Sequence, residues 1–374
     1  MAFVSGSGVA LRVGEARAVS GACVTRVHAA GGMTVRSSRA RVGAGSALRM
    51  AVAEPATAAD EGMLLEDWLR LDVDPALDKC VRSIFSACKE IAYKIRTASC
   101  DKMQCFNDFG DEQLAIDLLA DKAMFENLTA SGVVATASSE ETPVEKEITP
   151  GGKYSVAFDP LDGSSIIDTN FSVGTIFGVW PGSKLTGITG RGLVAAGLAV
   201  YGPRTTITLS VEGKPYAYEF LLIDDFSGRH GNWILTKTFS TVTEGKLFAP
   251  GNLRAVNDNK GYAALVQFYK DNKYQLRYTG GMVPDVNQIL IKGKGVFCNP
   301  ESPTAKAKLR VLYEVAPIGY IMEKAGAKSS DGKQSVLDIP INNTEVKSQI
   351  CVGSAGEVQR FEEMVGVDNY SPSY

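Results

Sequence analysis

The strongest constraint in this sequence is a strand-like run, Tyr154-Ser155-Val156-Ala157-Phe158, closed by Asp159-Pro160-Leu161-Asp162-Gly163-Ser164-Ser165. Apolar strand residues halted by Asp-Pro predict a strand end followed by a turn. Across a proline-stiffened turn, Asp159 and Asp162 can aim both carboxylates at one point, together with the Leu161 carbonyl. Gly163-Ser164-Ser165 then opens a helical turn running into Ile166-Ile167. Its free N–H groups and two hydroxyls suit a phosphate.

The rest of the chain alternates helical and strand patterns. Leu77, Val81, Ile84, Phe85, Cys88, Ile91, Ala92 and Ile95 follow the 3-and-4 spacing of an amphipathic helix. A second helix is expected from an Asp111 N-cap through Leu114, Leu118 and Phe125, with Glu112 in its first turn. Strands are expected at 133–135, 174–180, 205–211, 218–223 and 296–298, with 187–201 ambiguous. Helices are expected at 261–270, 283–292, 310–325 (interrupted by Pro317) and 357–365. The class is therefore α/β or layered α+β with two packed subdomains, divided as 73–240 and 241–374.

Residues 1–50 hold seven arginines, no lysine and a single acid, Glu15. Arg-rich and acid-poor, they read as an organellar transit peptide, with a disordered tail as the alternative. Residues 51–72 follow as a linker. Without 1–50 the formal net charge falls from −3 to about −9, which suits cation binding. No basic cluster points to nucleic acid, and no run of 18 apolar residues points to a spanning helix.

Only two histidines, His28 and His230, occur in 374 residues. Histidine-rich metal sites are thereby excluded, and any Ser-His-Asp triad would rest on His230. Carboxylates are left to carry the chemistry. They gather at Asp111-Glu112 with Asp117, at Glu140-Glu141 after a strand, and at Asp159 and Asp162. Such oxygen donors suit Mg²⁺ or Mn²⁺. Metals held beside an N–H phosphate cradle are what metal-assisted phosphoryl hydrolysis requires.

At this point Phe158–Ser165 resembles the signature of the class 1 fructose-bisphosphatase family, within the lithium-sensitive metal-dependent phosphatases. Asp168–Gly182, Thr279–Gln288 and Ser329–Gln334 resemble its sedoheptulose-1,7-bisphosphatase branch more closely, and the likeness spans about residues 75–365. The resemblance implies a layered αβαβα sandwich and Mg-dependent removal of the 1-phosphate from a ketose bisphosphate. Sedoheptulose 1,7-bisphosphate is the expected substrate, and fructose 1,6-bisphosphate the alternative or joint one. A catalytically dead sugar-phosphate sensor is the remote alternative. The implied metal ligands are Asp111, Glu140, Glu141, Asp159, the Leu161 carbonyl, Asp162 and Glu314. Asp111, Asp117 and Glu141 are the implied catalytic acids, with a buried cap or salt-bridge partner as the other reading of Asp117. Asp162, Gly163, Ser164 and Ser165 would hold the reacting phosphate, and Asn252, Arg277, Tyr278 and Lys308 the distal one. In the family the residue matching Arg277 reaches into a neighbouring subunit, which implies an oligomer, with a two-fold homodimer expected.

Seven cysteines are too scattered for a disulfide scaffold. Chloroplast members of the branch carry a Cys-x4-Cys where Cys100 and Cys105 stand. The resemblance therefore implies a regulatory disulfide reduced by thioredoxin in the plastid stroma, against two unpaired thiols. On a helix, residues five apart lie about 8–9 Å from each other, beyond disulfide reach, so that bond needs a turn or loop.

Overall fold

The structure, a computed structural model, describes residues 61–97, 104–106, 112–224 and 231–366, with the backbone alone at 104–106, 112–114 and 224. The expected transit segment 1–50, residues 51–60 of the linker, Cys100, Asp111 and His230 lie outside the described residues.

Helix α1 (Leu65–Leu69) leads into α2 (Pro75–Thr97). Asp74 starts α2 by accepting the N–H groups of Ala76 at 2.9 Å and Leu77 at 3.1 Å. Pro75, with no N–H to satisfy and a helical φ, suits the first helical position. The strands β1 (Gln104–Phe106) and β2 (Glu112–Leu114) pair antiparallel ahead of α3 (Ala115–Ser131). The helix expected from Asp111 thus begins later, because residues 112–114 pair with β1 instead of coiling.

Eight strands form the larger sheet: β3 (Val134–Ser139), β4 (Lys146–Glu147), β5 (Tyr154–Asp162), β6 (Val173–Pro181), β7 (Ala195–Tyr201), β8 (Thr205–Val211), β9 (Ala217–Asp224) and β10 (Gly231–Phe239). Their order is β10-β9-β8-β7-β6-β5-β3-β4, antiparallel except for β3 beside β5. The chain then enters a smaller sheet with β11 (Thr243–Pro250), followed by α4 (Lys260–Asp271), β12 (Gln275–Leu276), α5 (Met282–Lys292) and β13 (Lys294–Asn299). A π turn (Val311–Val315), α6 (Ala316–Lys324), β14 (Lys328–Ser330), β15 (Ile350–Gly353) and α7 (Ala355–Phe361) complete it. The smaller sheet runs β12-β11-β13-β15-β14. Pro317 does not interrupt a helix as expected; it lies in the first turn of α6, where its missing N–H costs nothing.

Alternate residues along the strands sort into separate cores, which define five layers. Val156, Phe158, Phe177 and Val179 face α2 and α3, while Ala157, Ile176 and Trp180 face α5 and α6. Leu247, Ala249, Phe297 and Val352 of the smaller sheet press on that same middle helical layer. Phe248, Val296, Cys298 and Cys351 point the other way, to α4 and α7. The order is thus helices, sheet, helices, sheet, helices, the layered αβαβα sandwich expected. Edge-on ring contacts, Trp68 to Tyr218 at 4.7 Å and Phe85 to Trp233 at 5.2 Å, hold the first helices on the sheet.

Candidate active site

The strand β5 does not stop at Asp159-Pro160 but continues to Asp162, and its register against β6 slips between those two aspartates. Residues three apart on a regular strand point to opposite faces. One extra residue resets that parity and tolerates the proline, so the bulge turns Asp159 and Asp162 toward one side. The expected turn is therefore a bulge with the same consequence. Its carbonyl at Pro160 accepts Thr175 Oγ1 at 2.8 Å, and Asp159 Oδ1 accepts the Leu161 N–H at 2.9 Å.

Asp162 is tied across the layers. Its Oδ2 accepts the Val283 N–H at the start of α5 at 2.7 Å. Two glycines permit the approach. Gly163 has φ +82° and a Cβ there would stand 3.4 Å from Gly281 Cα, while a Cβ on Gly174 would stand 2.3 Å from Val283 Cγ1. The following segment, Ser164–Thr169, is a 3₁₀ turn.

Glu140 and Glu141 follow β3 in a turn held by Ser139. The Ser139 hydroxyl donates to Asp121 Oδ1 of α3 at 2.5 Å and accepts the Thr142 N–H at 2.9 Å. Burial raises the Asp121 carboxyl, and the bonds from Ser139 and Thr142 oppose the rise. Glu314 sits in the π turn, where its Oε2 accepts the Arg310 N–H at 2.6 Å. The Arg310 side chain, 4% exposed, reaches Glu140 Oε1 at 2.5 Å and Glu345 Oε2 at 3.2 Å.

These acids share one field. Burial lifts Asp159 well above the ordinary carboxylate range, and Glu140, Asp162 and Glu314 lift it further. Burial raises Asp162 to about 6, with the Val283 and Met282 N–H groups opposing and Glu140 adding. Glu314 is raised by burial and then by Glu140. Like charges drawn together away from water favour a proton or a cation between them. Among the described residues no three Asp, Glu, His or Cys side chains already clasp an ion site. The donors are all oxygen and mutually repelling, so they fit a hard divalent cation, with Arg310 neutralising part of the charge.

Asp117 lies buried in the first turn of α3. Asp111, which would complete the acidic set, lies outside the described residues. At the distal end Tyr278 is raised by burial and by the charges of Asp285 and Asp162, and lowered by Arg254, so it shares the field of the acidic cluster. Arg277 and Lys308 are exposed. Asn252, at a left-handed φ of 45°, donates its amide to the Pro300 carbonyl at 2.8 Å and the Ala305 carbonyl at 3.0 Å. In that arrangement no amide hydrogen is left for a phosphate. Cys105 has its backbone in β1, off any helix.

Sequence reasoning overlooked Arg310 as a buried counter-charge, Asp121 as the support of the Glu140 turn, and Asp285. Asp285 fixes the approach to α5 by accepting the Thr279 N–H at 2.9 Å. Only the Thr279–Asp285 spacing, a polar group ahead of an apolar helix, hinted at the last.

Two family models match the chain: Fructose-1-6-bisphosphatase, N-terminal domain, over residues 66–238, and Fructose-1-6-bisphosphatase, C-terminal domain, over 241–366. The chloroplastic sedoheptulose-1,7-bisphosphatase of Spinacia oleracea is 54% identical over 310 residues, 82% of this chain and 79% of the relative. The class 1 fructose-1,6-bisphosphatase of Geobacter sulfurreducens is 36% identical over 304 residues, 79% of this chain and 93% of the relative. Among solved structures, a Toxoplasma gondii protein described as a sedoheptulose-1,7 bisphosphatase superposes with TM-score 0.75 at 37% identity, covering 81% of this chain and 98% of that one. Leishmania major fructose-1,6-bisphosphatase in holo form gives TM-score 0.74 at 28% identity, with 81% and 98% covered.

Proposed function

The chain belongs to the fructose-1,6-bisphosphatase family, and from that membership we infer that it is a phosphoric monoester hydrolase acting on sedoheptulose 1,7-bisphosphate. The products are sedoheptulose 7-phosphate and inorganic phosphate, a carbon-fixation step of the Calvin cycle. The observation that carries the reading is the shared field of Glu140, Asp159, Asp162 and Glu314, with Arg310 paired to Glu140 at its edge. The 54% identity to the spinach relative directs it to the seven-carbon sugar.

Glu140, Glu141, Asp159, Asp162, Glu314 and the Leu161 carbonyl would hold Mg²⁺ or Mn²⁺, with Asp111 completing the set. When bound, such an ion supplies polarisation of the phosphoryl oxygens and neutralises charge on the leaving oxygen. Asp162 keeps its place through Val283, while Gly163, Ser164 and Ser165 offer N–H and hydroxyl donors to the 1-phosphate. Water adds to phosphorus, the bond from phosphorus to the sugar oxygen breaks, Asp111 with Glu141 takes the proton of the water, and the departing sugar oxygen takes up a proton from solvent. Asp117 supports that pair from α3. Arg277, Tyr278 and Lys308 receive the distal phosphate, the arginine as a two-pronged donor and the lysine as a point charge. The reading extends to a homodimer sharing Arg277, a plastid stroma location, and activation when thioredoxin reduces Cys100–Cys105.

The 36% identity to a bacterial fructose-1,6-bisphosphatase favours fructose 1,6-bisphosphate as a second substrate. Phosphate release from each sugar, with and without Mg²⁺, tests the reading. Higher kcat/KM for the seven-carbon sugar is expected. A preference for fructose 1,6-bisphosphate would reverse the assignment, and no release from either would leave a sugar-phosphate sensor. The redox part is read separately: Cys100→Ser and Cys105→Ser should each be active after oxidation without a dithiol, unlike the unsubstituted chain.

A further inference from the structure

Two cysteines that the phosphatase chemistry does not use face each other in the smaller sheet. Cys298 of β13 and Cys351 of β15 are direct antiparallel partners. Opposed residues in such a ladder alternate between hydrogen-bonded pairs and closer pairs without hydrogen bonds. The Ser354 N–H donates to the Gly295 carbonyl at 3.1 Å, which makes 295 and 354 a bonded pair. Alternation then assigns the bonds to 297 with 352 and to 299 with 350. Cys298 turns its carbonyl the other way, to the Gly251 N–H at 2.7 Å. The cysteine pair is therefore of the close kind, whose Cα atoms stand about 4.5 Å apart, within the span a disulfide bridges. Both side chains point into the same apolar cluster, beneath Tyr262, Leu265 and Phe361, and both are free thiols.

We propose that Cys298 and Cys351 are a redox site that closes into a cross-strand disulfide by exchange with a low-molecular-weight disulfide. One thiol, as thiolate, attacks the small disulfide, forming a mixed disulfide and releasing one small thiol. The second cysteine attacks that mixed disulfide, the protein S–S bond forms and a second small thiol leaves. Two protein thiols are oxidised, and one small disulfide is reduced to two thiols.

Burial sets the rate. It pushes the Cys298 thiol up to about 12 and the Cys351 thiol well above its ordinary value, with Cys298 adding to the latter. Since the thiolate is the attacking form, exchange in the closed sheet is slow in both directions. The bond forms as the sheet assembles or when the outermost strand, β14, lifts from β15. Once closed it is shielded from reductant, so the site records the conditions under which the chain folded. The bond closes the loop 299–350, which carries Lys308, Arg310 and Glu314, and restricting a long loop stabilises the fold.

The test uses the full chain carrying Cys100→Ser and Cys105→Ser. One sample is refolded from denaturant with oxidised and reduced glutathione; another is incubated folded in the same mixture. Alkylation and peptide mapping should find a peptide joining Cys298 to Cys351 in the refolded sample. It should accumulate at least tenfold more slowly in the folded one. The linked protein should melt higher by about 5 °C, and a strong reductant applied in denaturant should reverse the gain. Adding Cys298→Ala or Cys351→Ala should abolish both the peptide and the oxidant-dependent shift, each variant being compared with its own reduced form. Absence of the linked peptide from refolded protein with native circular dichroism overturns the proposal. So does a linked protein that melts lower than the reduced one.

Discussion

The backbone N–H of Val283 donates to Oδ2 of Asp162 at 2.7 Å, joining the acidic loop of the larger sheet to the first turn of α5. One carboxylate oxygen is thus committed to a helix N-terminus, which favours negative charge there. The bond fixes an acidic side chain of the cluster by means of a chain segment 121 positions away.

Asp162→Asn retains an oxygen for the Val283 N–H but removes the charge. Turnover should fall by at least ~10³, about 4 kcal/mol of transition-state stabilisation, while the melting temperature changes little. Asp162→Ala should lose activity and also stability, about 1–3 kcal/mol, because a buried N–H is left unpaired. Near-normal kcat for Asp162→Asn at saturating Mg²⁺ would sink the site assignment.

Arg310→Met removes the buried positive charge that faces Glu140 and Glu345. Without divalent cation the variant should be less stable by about 3–5 kcal/mol, the usual result of breaking one side of a buried pair. Added Mg²⁺ should then raise its melting temperature by more than it raises that of the parent. An equal response in the two proteins contradicts the view that Arg310 and the cation neutralise the same acids.

Asp162 and Asp285 are both raised from 3.8 to about 6 in the fold, burial being the main cause. The folded chain therefore binds more protons than the unfolded chain between roughly those values, so stability falls as pH rises through the window. Melting curves in chelator from pH 4 to 7 should show this decline. Mg²⁺ should reduce the part due to Asp162, and Asp285→Asn the part due to Asp285. A chelated protein whose melting temperature climbs steadily across that range refutes the expectation.

Gly174→Ala tests the packing beneath the site. Its Cβ would lie 2.3 Å from Val283 Cγ1 and 2.5 Å from the Ala199 carbonyl oxygen. Relief requires α5 to move off β6, at a cost of about 1–3 kcal/mol, and takes the Val283 N–H from Asp162. Stability and kcat should fall together. A normal kcat in a destabilised variant would separate the packing from the chemistry.

Much of this was legible in the residues. The stripe on α2 and the apolar runs of β3, β5, β6 and β8 follow from periodicity, since each buries a face or both faces. The strand β10 escaped because its alternation is broken by a register slip between Leu235 and Lys237. The strand β11 escaped because Gly245 and Pro250 disfavour the reading. Pro160 and Pro317 misled for one reason: each sits where the backbone needs no N–H, a bulge and a first helical turn. In the site, Glu140, Asp159 and Asp162 were readable as acids after strands. Arg310 was not, because within Lys306-Ala307-Lys308-Leu309-Arg310 it resembles the solvated cations beside it, and only tertiary contact buries it.

The middle helices α5 and α6 belong to the apolar interior of both sheets at once, through side chains such as Val286, Ile289, Ile318 and Ile321. Swinging the sheets apart like jaws would wet that shared interior along its whole length, a penalty far above what ligand contacts return. Domain closure about a hinge is therefore closed to this architecture. The motion left to it is shear, in which α5 and α6 slide by small steps between the sheets. Because Asp162 is tied to the tip of α5 and Glu314 leads into α6, a slide of that layer re-spaces the acids directly, so the helices act as the adjusting screw of the site.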